Sequence, residues 1–318
     1  MNKTNNISDK DLIQALQKQI EEEEREIKRL IRELAVQKEE VTVQKEIIEN
    51  QRDSALRQRD EIVSQQKEIT ASFTYASRIQ DAMLTSSTIF EKHLKDYFIF
   101  YKPRNIVSGD FYWMTEKNDK IIVTAADATG HGVPGAFMSL MGIVFLNEIV
   151  NSLEITTPHE ILERMRKKVV AAFEREDGRD TVNAGMDLAL VSIDIQNMKL
   201  QFSGAFNPVC IYRKEELIEL PGDKIPVGFH PYLMDNKFIT KDFKLLKGDR
   251  IFLFSDGFID QFGWRSNKKY LKRNFKNLLL ENQSVPLKAQ RLLLENALNN
   301  WKGDLEQVDD IVVLGFEI

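Results

Sequence analysis

The stretch IIVTAADATGHGVPGAFMS, residues 121–139, decides the fold. It opens as an apolar strand and breaks at Asp127 into a loop carrying Gly130 and Gly132. Order resumes at Pro134, whose fixed φ suits the first turn of a helix. That helix is expected to run on through FMSLMGIVFLNEIVNSL. Working outward, FIFYKP, LALVSID, KLQFSGA, VCIYR, RIFLFSDG and DIVVLGFEI read as strands. HEILERMRKKVVAAFERE and a segment near 285–300 read as further helices. Many strands at hairpin spacing with a few helices point to the α+β class, antiparallel sheet packed on helices.

Aspartates recur where a strand gives way to a turn. Asp110 stands in SGDFYW, Asp127 in AADATGHG, Asp256 in FSDGFID, and Asp309 and Asp310 in EQVDDIVVL. A strand end holds a side chain rigidly, and nearby glycine lets backbone approach a ligand closely. Hard divalent cations such as Mg²⁺ and Mn²⁺ favour carboxylate, carbonyl and water oxygens. No His/Cys spacing suggests zinc. Taken alone each Asp-Gly is an ordinary turn; the ordered set is what points to metal.

The N-terminal part has a different texture. Residues 1–84 contain neither proline nor glycine. Apolar residues recur every seventh position: Ile13, Ile20, Ile27, Leu34, Val41, Ile48, Ala55, Ile62, Ile69, Ala76 and Met83. A repeat sustained that long argues for a left-handed coiled coil, because a lone amphipathic helix drifts off a seven-residue period. Gln37, Gln44, Gln51, Gln58 and Gln65 occupy the second seam position, where they forfeit apolar burial. They either set register and oligomeric state or leave the coil able to shift register. Three segments follow: a coiled coil over 1–70, a linker helix over 71–92 containing YASRIQDAML, and a catalytic domain over 93–318.

Composition narrows the class. The chain has 318 residues, 42% hydrophobic and 29% charged, with a formal net charge of -5. That balance gives no support to nucleic-acid binding. One cysteine, Cys210, excludes an internal disulfide and suits the reducing cytoplasm; within VCIYR it reads as a core residue. The start, MNKTNNISDKDLIQ, carries no apolar signal region. The run Gly132 to Asn147, bounded by His131 and Glu148, is shorter than the ~20 residues of a membrane span and reads as a buried helix.

Taken in order, GDFYW, DATGHGVPGAFMS, GMDLAL, FSGAFNPV, KGDRIFLFSDGFIDQFG and WKGDLEQVDDIVVLG resemble the SpoIIE-type branch of the PPM metal-dependent serine/threonine protein phosphatases. The resemblance runs from about residue 70 to the C-terminus and extends to the helix that precedes the catalytic domain. It implies a PPM-type α-β-β-α sandwich, two antiparallel sheets between helices, here preceded by a long coiled-coil helix. It implies that Asp127 bridges two Mn²⁺ or Mg²⁺ ions and that the Ala128 carbonyl completes one shell. Asp110 serves one ion; Asp256 and Asp309 serve the other. Relatives commonly have glycine at the position of Ala128, but either residue offers a carbonyl. Alignment favours Asp309 over Asp310, and neighbours on a strand point to opposite faces, so one of the two enters.

The implied reaction is hydrolysis of phosphoserine or phosphothreonine by a water that the two metals activate and orient. His131, in TGHG, is a candidate proton donor to the leaving oxygen or a loop-ordering hydrogen-bond partner. Arg104, in KPRNIVSGD, is a candidate for phosphate contact, and Asp187, in GMD, for an additional metal or a hydrogen bond. Expected partners are a bacterial signalling phosphoprotein, of the anti-sigma-factor-antagonist type, a second copy through the coiled coil, and an upstream sensor protein. The rival readings are a catalytically silent coiled-coil scaffold with a phosphatase-like domain, and a small-molecule phosphoesterase.

Overall fold

The computed structural model describes residues 9–174 and 184–318. They fall into two units that divide between Thr70 and Ala71. The first unit is helical throughout, part of α1 (Asp9–Met83). Its heptad residues Ile13, Ile20, Ile27, Leu34, Val41, Ile48, Ile62 and Ile69 are all exposed in the single chain. Exposed apolar side chains at a seven-residue period contribute little to stability until another helix covers them.

The second unit begins with the end of α1. The expected continuous linker helix over 71–92 is broken: α1 stops at Met83, Ser86 is extended, and α2 covers Ser87–His93. Then come β1 (Tyr97–Lys102), β2 (Phe111–Lys117), β3 (Lys120–Ala128), α3 (Gly132–Leu146) with a π-helical extension Asn147–Ser152, and α4 (Pro158–Phe173). After these follow β4 (Gly185–Asp194), β5 (Lys199–Ala205), β6 (Val209–Arg213), β7 (Glu216–Leu220), β8 (Val227–Gly228), β9 (Lys241–Lys244) and β10 (Arg250–Phe254). The last elements are α5 (Gly257–Asp260), α6 (Lys272–Glu281), α7 (Leu287–Lys302) and β11 (Ile311–Glu317). α3 starts two residues before Pro134, which still lies in the first turn, where its missing N–H breaks no helical bond.

Two antiparallel sheets result. One has the order β1-β11-β10-β6-β7; the other runs β2-β3-β4-β5-β9, with β8 on the end of β4. Period-two alternation sorts each strand between layers. On β3, Val123 and Ala125 face the core between the sheets, whereas Ile122 and Ala126 face the α3/α4 side. There Ile143, Leu146, Ile161, Leu162 and Met165 cover the second sheet. On the other side Phe258, Phe275, Leu279, Leu294 and Leu298 cover the first. The architecture is therefore an α-β-β-α sandwich of the α+β class. The stretch Gly132–Ser152 is apolar and long enough to cross a membrane by length and composition, yet half of it is buried inside the domain. It is an inner helix whose other face leaves Phe137 and Val144 exposed.

Cys210 lies on β6, fully buried among Tyr212, Phe252 and Phe254. Burial pushes its thiol up to about 12, with Glu219 adding to the effect. Only the thiolate reacts with disulfide reagents. A thiol reagent at pH 8 is therefore expected to label Cys210 only along the denaturant unfolding curve; prompt labelling of the folded chain contradicts this packing.

Candidate metal centre

The carboxylates reach one end of the sandwich from separate strands. Asp110 immediately precedes β2, Asp127 is the penultimate residue of β3, Asp256 follows β10, and Asp309 and Asp310 precede β11. Asp187 lies on β4 directly across from Asp127 in the ladder. Asp110, Asp127, Asp256 and Asp309 act on one another electrostatically, although they are up to 199 positions apart in the chain (309 − 110).

Burial, then the neighbouring carboxylates, raises Asp110, Asp127, Asp187 and Asp256. Asp127 is raised to about 10 by burial and then by Asp110, Asp256, Asp309 and Asp187. Asp110 is raised well above the usual range by burial, with Asp310, Asp309 and Asp256 adding to it and a Ser255 hydrogen bond opposing it. Asp187 is raised to about 7 by burial and by Asp256. Asp256 is exposed to solvent on one side, and partial desolvation followed by Asp260 and Asp309 raises it. Asp127 opposes that rise. Crowded acidic groups must take up protons or cations, and an all-oxygen set suits a hard divalent ion. Among the described residues, no three acidic, histidine or cysteine side chains are arranged as a ready-made ion cage. The region is acidic and convergent rather than preformed.

The two neighbouring aspartates are held differently. Asp310 is buried, and its carboxylate accepts the backbone N–H of Arg104 at 2.7 Å and of Gly109 at 2.8 Å. It thereby braces the whole 104–109 loop. Asp309 is half-buried, and its Oδ1 accepts the N–H of Asp310 at 2.8 Å. Asp310 is thus occupied with backbone, and Asp309 retains an oxygen without a protein partner among the described residues.

Close backbone contact seats these loops. A Cβ on Gly257, next to Asp256, would lie 2.0 Å from the Asp310 carbonyl oxygen. One on Gly109 would lie 2.6 Å from the Gly130 carbonyl and 3.0 Å from that of Ala128, and one on Gly135 would lie 2.2 Å from Gly130. The Ala128 oxygen therefore faces the loop that carries Asp110. Gly130 itself has φ +95°, open to glycine at no steric cost.

Arg104 and His131 are both exposed at the margin. Arg104 uses only its backbone N–H, and among the described residues its guanidinium has no partner. His131 occupies the position before the first turn of α3 without capping it, and its charge bears on Asp310. Two supports escaped the sequence reading. Ser255 Oγ donates to Asp110 Oδ2 and accepts the Val312 N–H at 3.0 Å, coupling β2, β10 and β11. Gln80, buried in the last turn of α1, donates to the Ser108 carbonyl at 2.6 Å and to Ser139 Oγ at 2.7 Å, and accepts the Ser108 N–H at 3.0 Å. Its only sequence signal is the break in the heptad glutamine spacing.

Comparison with known proteins bears on this arrangement. The family model described as Stage II sporulation protein E (SpoIIE) matches residues 117–318. The chain is 25% identical over 213 residues to the phosphoserine phosphatase RsbU of Bacillus subtilis (strain 168), covering 65% of this chain and 58% of that one. It therefore spans less than two thirds of that relative's length. Among solved structures it is similar to the SiaA-PP2C domain of Pseudomonas aeruginosa, with TM-score 0.71, 29% identity, and coverage of 80% of this chain and 98% of that one. The PP2C phosphatase domain of SpoIIE from Bacillus subtilis, with a fragment of its regulatory domain, overlays with TM-score 0.55 at 19% identity, covering 70% of this chain and 61% of that one. The last likeness is one of fold.

Gly257→Ala is expected to cost roughly 1–3 kcal/mol, since its methyl must displace the Asp310 backbone. Urea unfolding measures it; an unchanged midpoint contradicts the close approach.

Proposed function

The chain belongs to the SpoIIE family, a branch of the PPM phosphatases, and on that premise we propose that it is a metal-dependent serine/threonine protein phosphatase. It removes phosphate from phosphoserine or phosphothreonine on a bacterial signalling protein in the cytoplasm. The anti-sigma-factor antagonists are the substrate class that the family resemblance implies. The single observation carrying the reading is the crowding of Asp110, Asp127, Asp256 and Asp309 at one sheet end, which raises the first three above the usual carboxylate range. A scaffold that only bound partners would carry that repulsion for no return. Two Mn²⁺ or Mg²⁺ ions fit the donor set. Asp110, Asp127, Asp256, Asp309 and the Ala128 carbonyl would hold them. When bound, such ions supply Lewis acidity, lowering the pKa of water and offsetting charge on phosphoryl oxygens.

The chain's own groups have the remaining tasks. The unpartnered Arg104 guanidinium is suited to phosphate oxygens, and Asp310 holds the loop that presents it. Exposed His131, at the N-terminal end of α3, can donate a proton to the departing serine oxygen. Cys210 takes no part, because it is buried on β6.

Regulation follows from the helix. The exposed heptads of α1 suit pairing with a second copy, giving a homodimer on which an upstream sensor protein can act. The end of the same helix grips Ser108, two residues before Asp110, through Gln80. Helix position is thereby tied to the geometry of one metal-binding carboxylate.

Asp127→Asn is expected to lower Mn²⁺-dependent p-nitrophenyl phosphate hydrolysis by at least ~10²–10³-fold. Equal rates discard the enzyme reading. Gln80→Ala leaves buried backbone unpaired at a cost of about 1–3 kcal/mol, and is expected to raise the Mn²⁺ concentration for half-maximal rate about tenfold. A chain beginning at residue 90 that keeps wild-type activity and Mn²⁺ response contradicts control by the helix.

A further inference from the structure

Phe206 presents an apolar surface that packing does not explain. It follows the last residue of β5 with φ +56°, and it remains 45% exposed. The Asn207 N–H bonds back to the Ala205 carbonyl, so Phe206 is the centre of a three-residue turn. With positive φ this is the rarer, strained form of that turn. A left-handed conformation is costly for an aromatic residue, and an exposed ring recovers little of that cost by burial.

The surroundings impose the strain. The Phe206 N–H donates to the Asp223 carbonyl, and the Asp223 N–H donates to the Gly204 carbonyl, both at 2.8 Å. A Cβ on Gly204 would come 2.3 Å from the Asn207 oxygen, and one on Gly222 would come 2.7 Å from it. Backbone from two segments thus locks the turn. Over-determined strain of this kind gathers where a side chain must be aimed for function.

Register fixes where it sits. Ala126 pairs with Leu188, and Leu188 with Ala205. One step further toward the same end Asp127 pairs with Asp187, and Phe206 directly follows Ala205 where β5 stops. Leu271 is also left-handed and exposed, but it precedes α6 and adjoins no carboxylate-bearing strand.

We infer that Phe206 is a docking residue for the phosphoprotein substrate, covering an apolar side chain that flanks the phosphoserine as the phosphate enters the carboxylate site. This rests on the phosphatase reading. A free phosphate needs no such surface, whereas a polypeptide crossing this end of the sheet meets it beside the strand that carries Asp187.

The test compares the full-length wild type with Phe206→Gly and Phe206→Tyr in Mn²⁺, using phosphocasein as a generic phosphoserine protein. Glycine accepts the left-handed turn at no cost, so Phe206→Gly is expected to melt no lower than wild type. It is nonetheless expected to bind phosphocasein about tenfold more weakly, as loss of an interface aromatic does. Phe206→Tyr is expected to bind as wild type does. Equal affinity of wild type and Phe206→Gly, or no binding by wild type, overturns the inference. Wild-type turnover of p-nitrophenyl phosphate is read separately: its absence overturns the phosphatase assignment, while the affinities still judge Phe206.

Discussion

Mutual repulsion among desolvated carboxylates is the constraint on which the rest depends. Asp110, Asp127 and Asp187 are held in or beside a sheet core where charge is poorly solvated, and Asp110 and Asp187 both make ionisation of Asp127 harder. A fold gains nothing from such a cluster by itself. Hydrophobic burial in the three layers supplies the stability that tolerates it, with each fully buried Ile or Leu contributing about 1.5–3 kcal/mol. The strained end of the sandwich is therefore where chemistry is expected, and the layered core is what keeps it there.

Rigidity comes from backbone as much as from side chains. The loops bearing Asp110 and Asp127 touch through Gly109 and Gly135, and the loop bearing Asp256 touches the Asp310 backbone through Gly257; a methyl group has no room at any of these three. Asp310 and Ser255 then tie loop to strand with short hydrogen bonds. These contacts make the site sensitive to small displacements, since close-packed backbone transmits a shift rather than absorbing it. Gln80 enters at that point. A side chain on the last turn of α1 bonds both the N–H and the carbonyl of Ser108, two residues before Asp110.

Much of this was legible in the amino acids. Strand β3, its aspartate and the helix after it follow from apolar run, glycines and Pro134. β1, β4, β5, β6, β10 and β11 follow from the same pattern, and so do the acidic residues that end them. The short strands β7, β8 and β9 were not read, because ELIEL, VG and KDFK carry too few apolar residues to show a period. The linker break at Ser86 was missed because no proline or glycine marks it. Gln80 falls outside the heptad glutamine spacing, but a sequence period says nothing of a partner 28 residues away. Residue type does not separate Asp309 from Asp310; the family resemblance favours Asp309, and the backbone bonds of Asp310 add a structural difference. Phe206 was invisible for the same reason, because its strain lies in φ and not in its identity.

The central claim is that these oxygens exist to hold hard cations. Isothermal calorimetry of the full-length chain with Mn²⁺ tests it most directly. The account predicts uptake of about two ions per chain with release of protons from the crowded carboxyls. Titration showing no uptake of Mn²⁺ or Mg²⁺ would contradict it.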